Sequence, residues 1–212
     1  MLIFDLDGTL LNTLTDLHNA LNYALSNHGC KQKTLEETKM LLGNGIERLV
    51  QDSIENGKDN PEYPQIFKTF KMYYTAHIND NTAPYDGIIP LLKKLKANHI
   101  KTGIVSNKFD EGVKTLATHY FKDLIDAAQG TTEKIQKKPS PDAVFALIKR
   151  LNAENEKNIY IGDSEIDIMT AKNANLPCIS VSWGFRTKEE LMKSGAKIII
   201  DSPQKLLNFL NN

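Results

Sequence analysis

Leu2-Ile3-Phe4-Asp5-Leu6-Asp7-Gly8-Thr9 opens the chain with a short apolar strand that runs straight into two carboxylates and a glycine. Gly8 lets the backbone turn sharply, so Asp5 and Asp7 can face a single point. Five more β-rich runs follow: Thr102 to Val105, Asp126 to Ala128, Ile159-Tyr160-Ile161, Cys178 to Val181 and Ile198 to Ile200. Between them lie helical stripes. Ile88, Leu91, Leu92 and Leu95, and later Val144, Leu147, Ile148 and Leu151, recur at i, i+3, i+4, i+7. Ser140-Pro141 and Ser202-Pro203 read as an N-cap followed by proline at the first helical position, and Thr187-x-x-Glu190 as a capping box. Strands alternating with amphipathic helices predict an α/β fold, a Rossmann-like parallel sheet with helices on both faces.

Residues 13–82 break that rhythm. They hold helical stripes without a convincing strand: Leu14, Leu17, Leu21 and Leu25; Ile46, Leu49, Val50 and Ile54; Ile66, Phe67, Phe70, Tyr73 and Tyr74. Thr34-x-x-Glu37 is a capping box for a shorter helix between the first two. The expected organisation is a core domain of residues 1–12 and 83–212 interrupted, just after its first strand, by an all-helical insert of residues 13–82.

Composition narrows the function classes. The 212 residues carry 26 basic and 26 acidic side chains, so no net charge draws the chain to nucleic acid or to an anionic membrane. No apolar run approaches the roughly 20 residues that span a bilayer. Met1-Leu2-Ile3-Phe4 meets Asp5 before a signal sequence could form. Cys30 and Cys178 stand 148 positions apart and form neither a metal pattern nor a disulfide framework. A cytoplasmic protein is expected, monomeric or a homodimer, acting on a small molecule.

Ligands of an open parallel sheet bind at the carboxyl ends of its strands, near the point where strand order reverses. The residues expected at those ends carry chemistry. After the first strand come Asp5 and Asp7; after the second, Ser106-Asn107-Lys108; after the third, Lys138-Pro139-Ser140-Pro141; after the fourth, Gly162-Asp163-Ser164-Glu165-Ile166-Asp167. Asp163 and Asp167, spaced i, i+4, are expected on one helix face. Taken singly, each of these is ordinary turn or surface chemistry. Converging, the carboxylates repel one another unless a cation sits among them. An all-oxygen set suits Mg²⁺. The five histidines are scattered and offer no softer site. Mg²⁺ with a carboxylate, a hydroxyl and a lysine describes phosphoryl transfer.

Asp5-Leu6-Asp7-Gly8-Thr9, Ser106, Lys138 and Gly162-Asp163-x-x-x-Asp167 resemble, in order and spacing, the four motifs of haloacid-dehalogenase superfamily phosphatases. The helical insert resembles that superfamily's first type of cap. A narrower resemblance, to bacterial phosphoglycolate phosphatases, is carried by Gly43-Asn44-Gly45, Pro84-Tyr85-Asp86-Gly87, Ser106-Asn107-Lys108 and Ser182-Trp183-Gly184-Phe185-Arg186. The chain departs from the family in placing Met1 already inside the first strand.

The resemblance implies a phosphomonoester hydrolase, with 2-phosphoglycolate the expected substrate. Asp5 is then the nucleophile that becomes an aspartyl-phosphate, and Asp7 the acid and base. Asp5, the Asp7 carbonyl, Asp163 and, less directly, Asp167 hold Mg²⁺. Gly8, Thr9, Ser106, Asn107 and Lys138 bind the phosphoryl group, and Asn44, Arg48, Lys108 and Arg186 are expected at the rest of the substrate. A β-phosphoglucomutase-type mutase or a pyrophosphatase would use the same core, and a binding scaffold would need no such convergence.

Overall fold

A computed structural model describes residues 1–210; Asn211 and Asn212, at the end of the stretch assigned to the core domain, lie outside the described residues. The strands are β1 (Leu2–Phe4), β2 (Leu11–Asn12), β3 (Ala83–Pro84), β4 (Thr102–Phe109), β5 (Ala127–Thr131), β6 (Ile159–Gly162), β7 (Cys178–Val181) and β8 (Ile199–Ile200). The α-helices are α1 (Leu14–Asn27), α2 (Leu35–Leu41), α3 (Ile46–Ser53), α4 (Tyr63–Ala76), α5 (Ile88–Ala97), α6 (Asp110–Phe121), α7 (Asp142–Arg150), α8 (Glu165–Asn173), α9 (Lys188–Lys193) and α10 (Pro203–Leu210). They fall into two compact units, Met1–Asn12 with Pro84–Asn212, and Thr13–Ala83.

The first unit is built on a six-stranded sheet in the order β5-β4-β1-β6-β7-β8, parallel throughout. It is the α/β sheet anticipated from the alternation. β1 lies inside the sheet, which explains why Leu2, Ile3 and Phe4 are all buried rather than alternating. From β1 the chain winds through β4 to β5, then crosses to β6 on the other side of β1 and winds outward. The reversal between β1 and β6 opens the crevice where such sheets take ligands. Ile3, Val105, Val144, Leu147 and Tyr160 pack into one buried cluster of this unit. Gly103 lets α7 come close, since a Cβ there would stand 2.5 Å from Leu147 Cδ2.

The second unit is helical. The stripes of α1 and α4 supply its core: Leu17, Leu21, Leu25, Ile66, Phe70 and Tyr74 are all buried. Thr34 and Glu37 close the capping box at the start of α2 in both directions. Asp16, 2% exposed, accepts hydrogen bonds from Asn81 N, Thr82 N and Thr82 Oγ1, and so ties the end of this unit to its first helix.

Several local expectations shift. β4 runs on to Phe109, so Ser106, Asn107 and Lys108 belong to the strand, not to a turn beyond it; its register against β5 slips between Val105 and Phe109, a bulge that re-aims these side chains. Asp126 and Ile198 stand just outside their strands. Asp126 uses its carboxylate to accept from Thr102 N at 2.7 Å instead. α7 begins one residue late, with Pro141 rather than Ser140 at the N-cap position. Asp163 precedes α8, because Ser164 is the N-cap; Asp163 and Asp167 therefore do not share a helix face. The Thr187–Glu190 box forms as read.

Candidate active site

Asp5 leaves β1 with its amide donating to Ile161 O of β6 at 2.8 Å, so the chain is held to the sheet where the strand order reverses. Beyond it the backbone folds into a tight turn. Leu6 O accepts from Leu10 N and Leu11 N, while Gly8 N donates to Leu11 O at 2.8 Å. Gly8 sits at φ +86°, and a Cβ there would meet Asp163 Oδ2 at 2.3 Å. The glycine is thus required twice, by its dihedral and by the carboxylate pressed against it.

Asp163 is 1% exposed. Its Oδ1 accepts from Thr9 Oγ1 at 3.1 Å and its Oδ2 from Phe185 N at 2.7 Å. The loop after β7 makes this possible: a Cβ on Gly184 would lie 2.2 Å from Gly8 O and 2.5 Å from Asp163 Cβ. Trp183 Nε1 donates to Thr9 O at 2.9 Å and fastens that loop to the turn after β1.

Lys138 lies at the centre, 3% exposed. Its ammonium stands 2.9 Å from Asp5 Oδ1 and donates to Asp167 Oδ1 at 2.7 Å. Asp5 Oδ1 also accepts from Leu6 N at 2.7 Å. Asp167 is wholly buried. It accepts from Tyr160 OH at 3.1 Å on Oδ1, and from Ser164 N and Ser164 Oγ at 3.1 and 2.6 Å on Oδ2. Asn107 braces the Lys138 backbone from both sides, accepting from its N at 2.7 Å and donating to its O at 3.2 Å. Ser106 Oγ, 3% exposed, accepts from Lys108 N at 3.2 Å and keeps its own O–H to donate.

Charge is the unbalanced quantity. Burial raises the Asp5 carboxyl well above the carboxylate range, and the nearby Asp167 charge adds to the effect; Lys138 opposes it. Burial and then Asp167 push Asp163 up to about 7. For Lys138, burial works against the ammonium, but Asp167 and Asp5 outweigh it and hold the group well above its ordinary value. Burial, then the charges of Asp163 and Asp7, keep the Tyr85 phenol protonated. Counted as formally ionised, Asp5, Asp7, Asp163 and Asp167 outnumber the Lys108 and Lys138 ammonium groups by two. Carboxylate oxygens of Asp5, Asp163 and Asp167 lie within 4.8 Å of one another. Buried oxygen donors two charges short of neutrality fit a hard divalent cation.

The structure therefore brings together Asp5, Asp7, Gly8, Thr9, Ser106, Asn107, Lys108, Lys138, Asp163 and Asp167. It changes what some of them do. Gly8 and Thr9 spend their amides inside the turn, and Thr9 spends its hydroxyl on Asp163. Asn107 spends its amide group on Lys138. These three brace the site rather than offer those groups to a phosphate. Arg186 is forked onto Glu165 at 2.9 and 3.1 Å. Lys108 is a buried ion-pair partner, 2.9 Å from Asp7 Oδ1. Asn44 and Arg48 belong to the helical unit, where Arg48 Nε donates to Asp52 Oδ2 at 2.7 Å. Tyr160, Ser164, Trp183 and Gly184 complete the site without having been assigned a part. Ser164-x-x-Asp167 had a readable signal as a capping-box spacing, and Trp183-Gly184 stood in a motif of the narrower resemblance, but neither spacing stated its partner in the site.

The family model of haloacid dehalogenase-like hydrolases matches residues 2–181. A phosphoglycolate phosphatase of Pseudomonas fluorescens is 28% identical over 217 residues, covering 98% of this chain and 78% of its own. That of Cereibacter sphaeroides is 31% identical over 188 residues, covering 87% and 85%. A candidate phosphoglycolate phosphatase from Lactobacillus delbrueckii subsp. bulgaricus, solved by crystallography, superposes with a TM-score of 0.94 at 35% identity, covering 99% of this chain and 97% of its own.

Proposed function

The chain belongs to the haloacid dehalogenase-like hydrolases and is a phosphatase, and from that premise we propose that it hydrolyses a small phosphate monoester, 2-phosphoglycolate, through an aspartyl-phosphate on Asp5. The observation that carries the reading is the Lys138 ammonium seated between Asp5 and Asp167 at the point where the strand order reverses. It holds the nucleophile in place and sets a positive charge where phosphoryl oxygens would lie.

Asp5 attacks phosphorus: an Asp5 Oδ–P bond forms as the P–O bond to the alcohol breaks, and the Asp7 carboxyl gives its proton to the departing oxygen. Water then attacks the acyl-phosphate. A new O–P bond forms, the Asp5 O–P bond breaks, and Asp7 takes the proton back. The sum is ester plus water giving alcohol plus inorganic phosphate. The Ser106 hydroxyl and the Lys138 ammonium hold the transferring group. Asp5, the Asp7 carbonyl and Asp163 would hold Mg²⁺, which would supply charge neutralisation for the phosphoryl oxygens. Asp167 acts through Lys138 and Tyr160, because its oxygens are already engaged by four donors.

Phosphate release from 2-phosphoglycolate, pyrophosphate, glucose 1-phosphate and glycerol phosphates, with Mg²⁺ and with EDTA, tests this. Fast, Mg²⁺-dependent release from 2-phosphoglycolate above the others is expected. Equal slow release from all would remove the substrate claim, and isomerisation of the sugar phosphate without release would replace hydrolysis by mutase chemistry.

A further inference from the structure

Two ammonium groups are placed against the carboxylates of this site: Lys138 on Asp5 and Asp167, and Lys108 on Asp7. The Lys108 side chain is 1% exposed, and its Nζ lies 2.9 Å from Asp7 Oδ1. Taking an ammonium out of water costs several kcal/mol, so the fold has committed substantial free energy to placing it here. The backbone behind it is equally fixed. Lys108 stands in the bulged end of β4. Its N–H donates to Ser106 Oγ at 3.2 Å, and its carbonyl accepts from Thr131 Oγ1 at 3.3 Å. Gly130 on the neighbouring strand permits this approach, since a Cβ there would come within 2.7 Å of Lys108 O. One residue thus links the hydroxyl that faces the phosphoryl group to the carboxyl that serves the leaving oxygen.

We propose that Lys108 is a positioning residue for leaving-group protonation: by holding Asp7 Oδ1 it fixes the rotation of that carboxyl relative to the departing oxygen. The inference rests on the reading of Asp7 as acid and base. It departs from the assignment of Lys108 to the substrate, because its ammonium is already committed within the core unit. An acid in place contributes about 10²–10⁴-fold, and displacement by about 1 Å forfeits about 10²-fold.

The test is kcat/KM for Lys108→Met, Lys108→Arg, Asp7→Asn and the double variant K108M/D7N, on three esters with Mg²⁺ present. 2-Phosphoglycolate has a poor leaving group and a carboxylate, glycerol 1-phosphate a poor leaving group without one, and p-nitrophenyl phosphate a leaving group that needs no proton. kcat/KM reports only steps through release of the alcohol, so the later hydrolysis of the acyl-phosphate does not enter. K108M is expected to lose about 100-fold on both alkyl esters and less than about fivefold on the aryl ester. The loss on the alkyl esters should lie in kcat rather than KM, and K108M/D7N should be no slower than D7N.

Equal loss on all three esters would make Lys108 merely structural and overturn the proposal. Loss confined to 2-phosphoglycolate, expressed in KM, would put Lys108 on the substrate carboxylate and overturn it too. If K108M does not fold, K108R carries the same readout: its alkyl-to-aryl ratio must fall below that of the parent, and an unchanged ratio refutes the proposal. Asp7→Asn tests the underlying reading separately. If it loses as much on the aryl ester as on the alkyl esters, Asp7 is not the acid, whatever K108M does.

Discussion

Replacing Asp167 by Asn keeps the shape of a wholly buried side chain and removes its charge and one acceptor oxygen. In the parent, Oδ1 accepts from Lys138 Nζ at 2.7 Å and Tyr160 OH at 3.1 Å, while Oδ2 accepts from Ser164 N at 3.1 Å and Ser164 Oγ at 2.6 Å. The hydroxyls can turn to accept from an amide. The Lys138 ammonium and the Ser164 backbone N–H cannot, so either orientation of the new side chain sets donor against donor. An unsatisfied buried group costs about 1–3 kcal/mol, and a charge-assisted bond about 1.5–3. Relief of the repulsion that Asp167 exerts on Asp5 and Asp163 offsets part of this. The net loss is about 3 kcal/mol, which at about 2–4 °C per kcal/mol lowers Tm by about 8 °C. The same change frees Lys138 from one of its two anchors and should reduce kcat about 10–100-fold. Thermal melts and phosphate release on Asp167→Asn, with Mg²⁺ present, check both. A melt within about 2 °C of the parent would refute the reasoning that Asp167 is committed to its donors.

Three further expectations concern the metal, the packing and the pH. In EDTA, Asp163 has its carboxyl raised by burial, then by Asp167, from 3.8 to about 7. Such a group favours folding fully below its unfolded value and loses that contribution as pH rises through the folded one, up to about 4 kcal/mol. Melting in EDTA should therefore fall between about pH 4 and about pH 7, and added Mg²⁺ should flatten the decline; superimposable profiles with and without metal would contradict it. Gly103→Ala, whose new methyl meets Leu147 Cδ2 at 2.5 Å, should cost about 1–3 kcal/mol of stability and spare turnover. Gly184→Ala, whose methyl meets Gly8 O at 2.2 Å and Asp163 Oδ2 at 2.5 Å, should cost a similar amount and also about 100-fold in activity. Parallel activity losses in the two variants would remove the distinction.

What could be read from the sequence was local. The apolar stripes of α1, α4, α5 and α7, the capping boxes at Thr34 and Thr187, and the run of Leu2-Ile3-Phe4 into Asp5 all state their structure within a few residues, and the parallel sheet follows from their order. The partners of the site residues were a different matter. Asn107 and Lys138 meet across 31 positions, Thr9 and Asp163 across 154, and Trp183 and Thr9 across 174. No spacing rule connects such residues, so Thr9 and Asn107 were read as phosphate ligands when their polar groups hold other site residues. The bulge in β4 was hidden for a related reason: Ser106-Asn107-Lys108 has the composition of a turn, and only the register against β5 draws it into the strand. Lys108 was therefore expected at the substrate, not in a buried ion pair. Its burial follows from that register and from Gly130 beside it.

Acid-quenched mass spectrometry tests most directly whether Asp5 is the nucleophile. The parent protein, mixed with 2-phosphoglycolate and Mg²⁺ and quenched within its first turnovers, should carry a phosphate adduct on the peptide containing Asp5. Asp5→Asn should carry none and release no phosphate. An adduct on another residue, or undiminished phosphate release by Asp5→Asn, would contradict the mechanism.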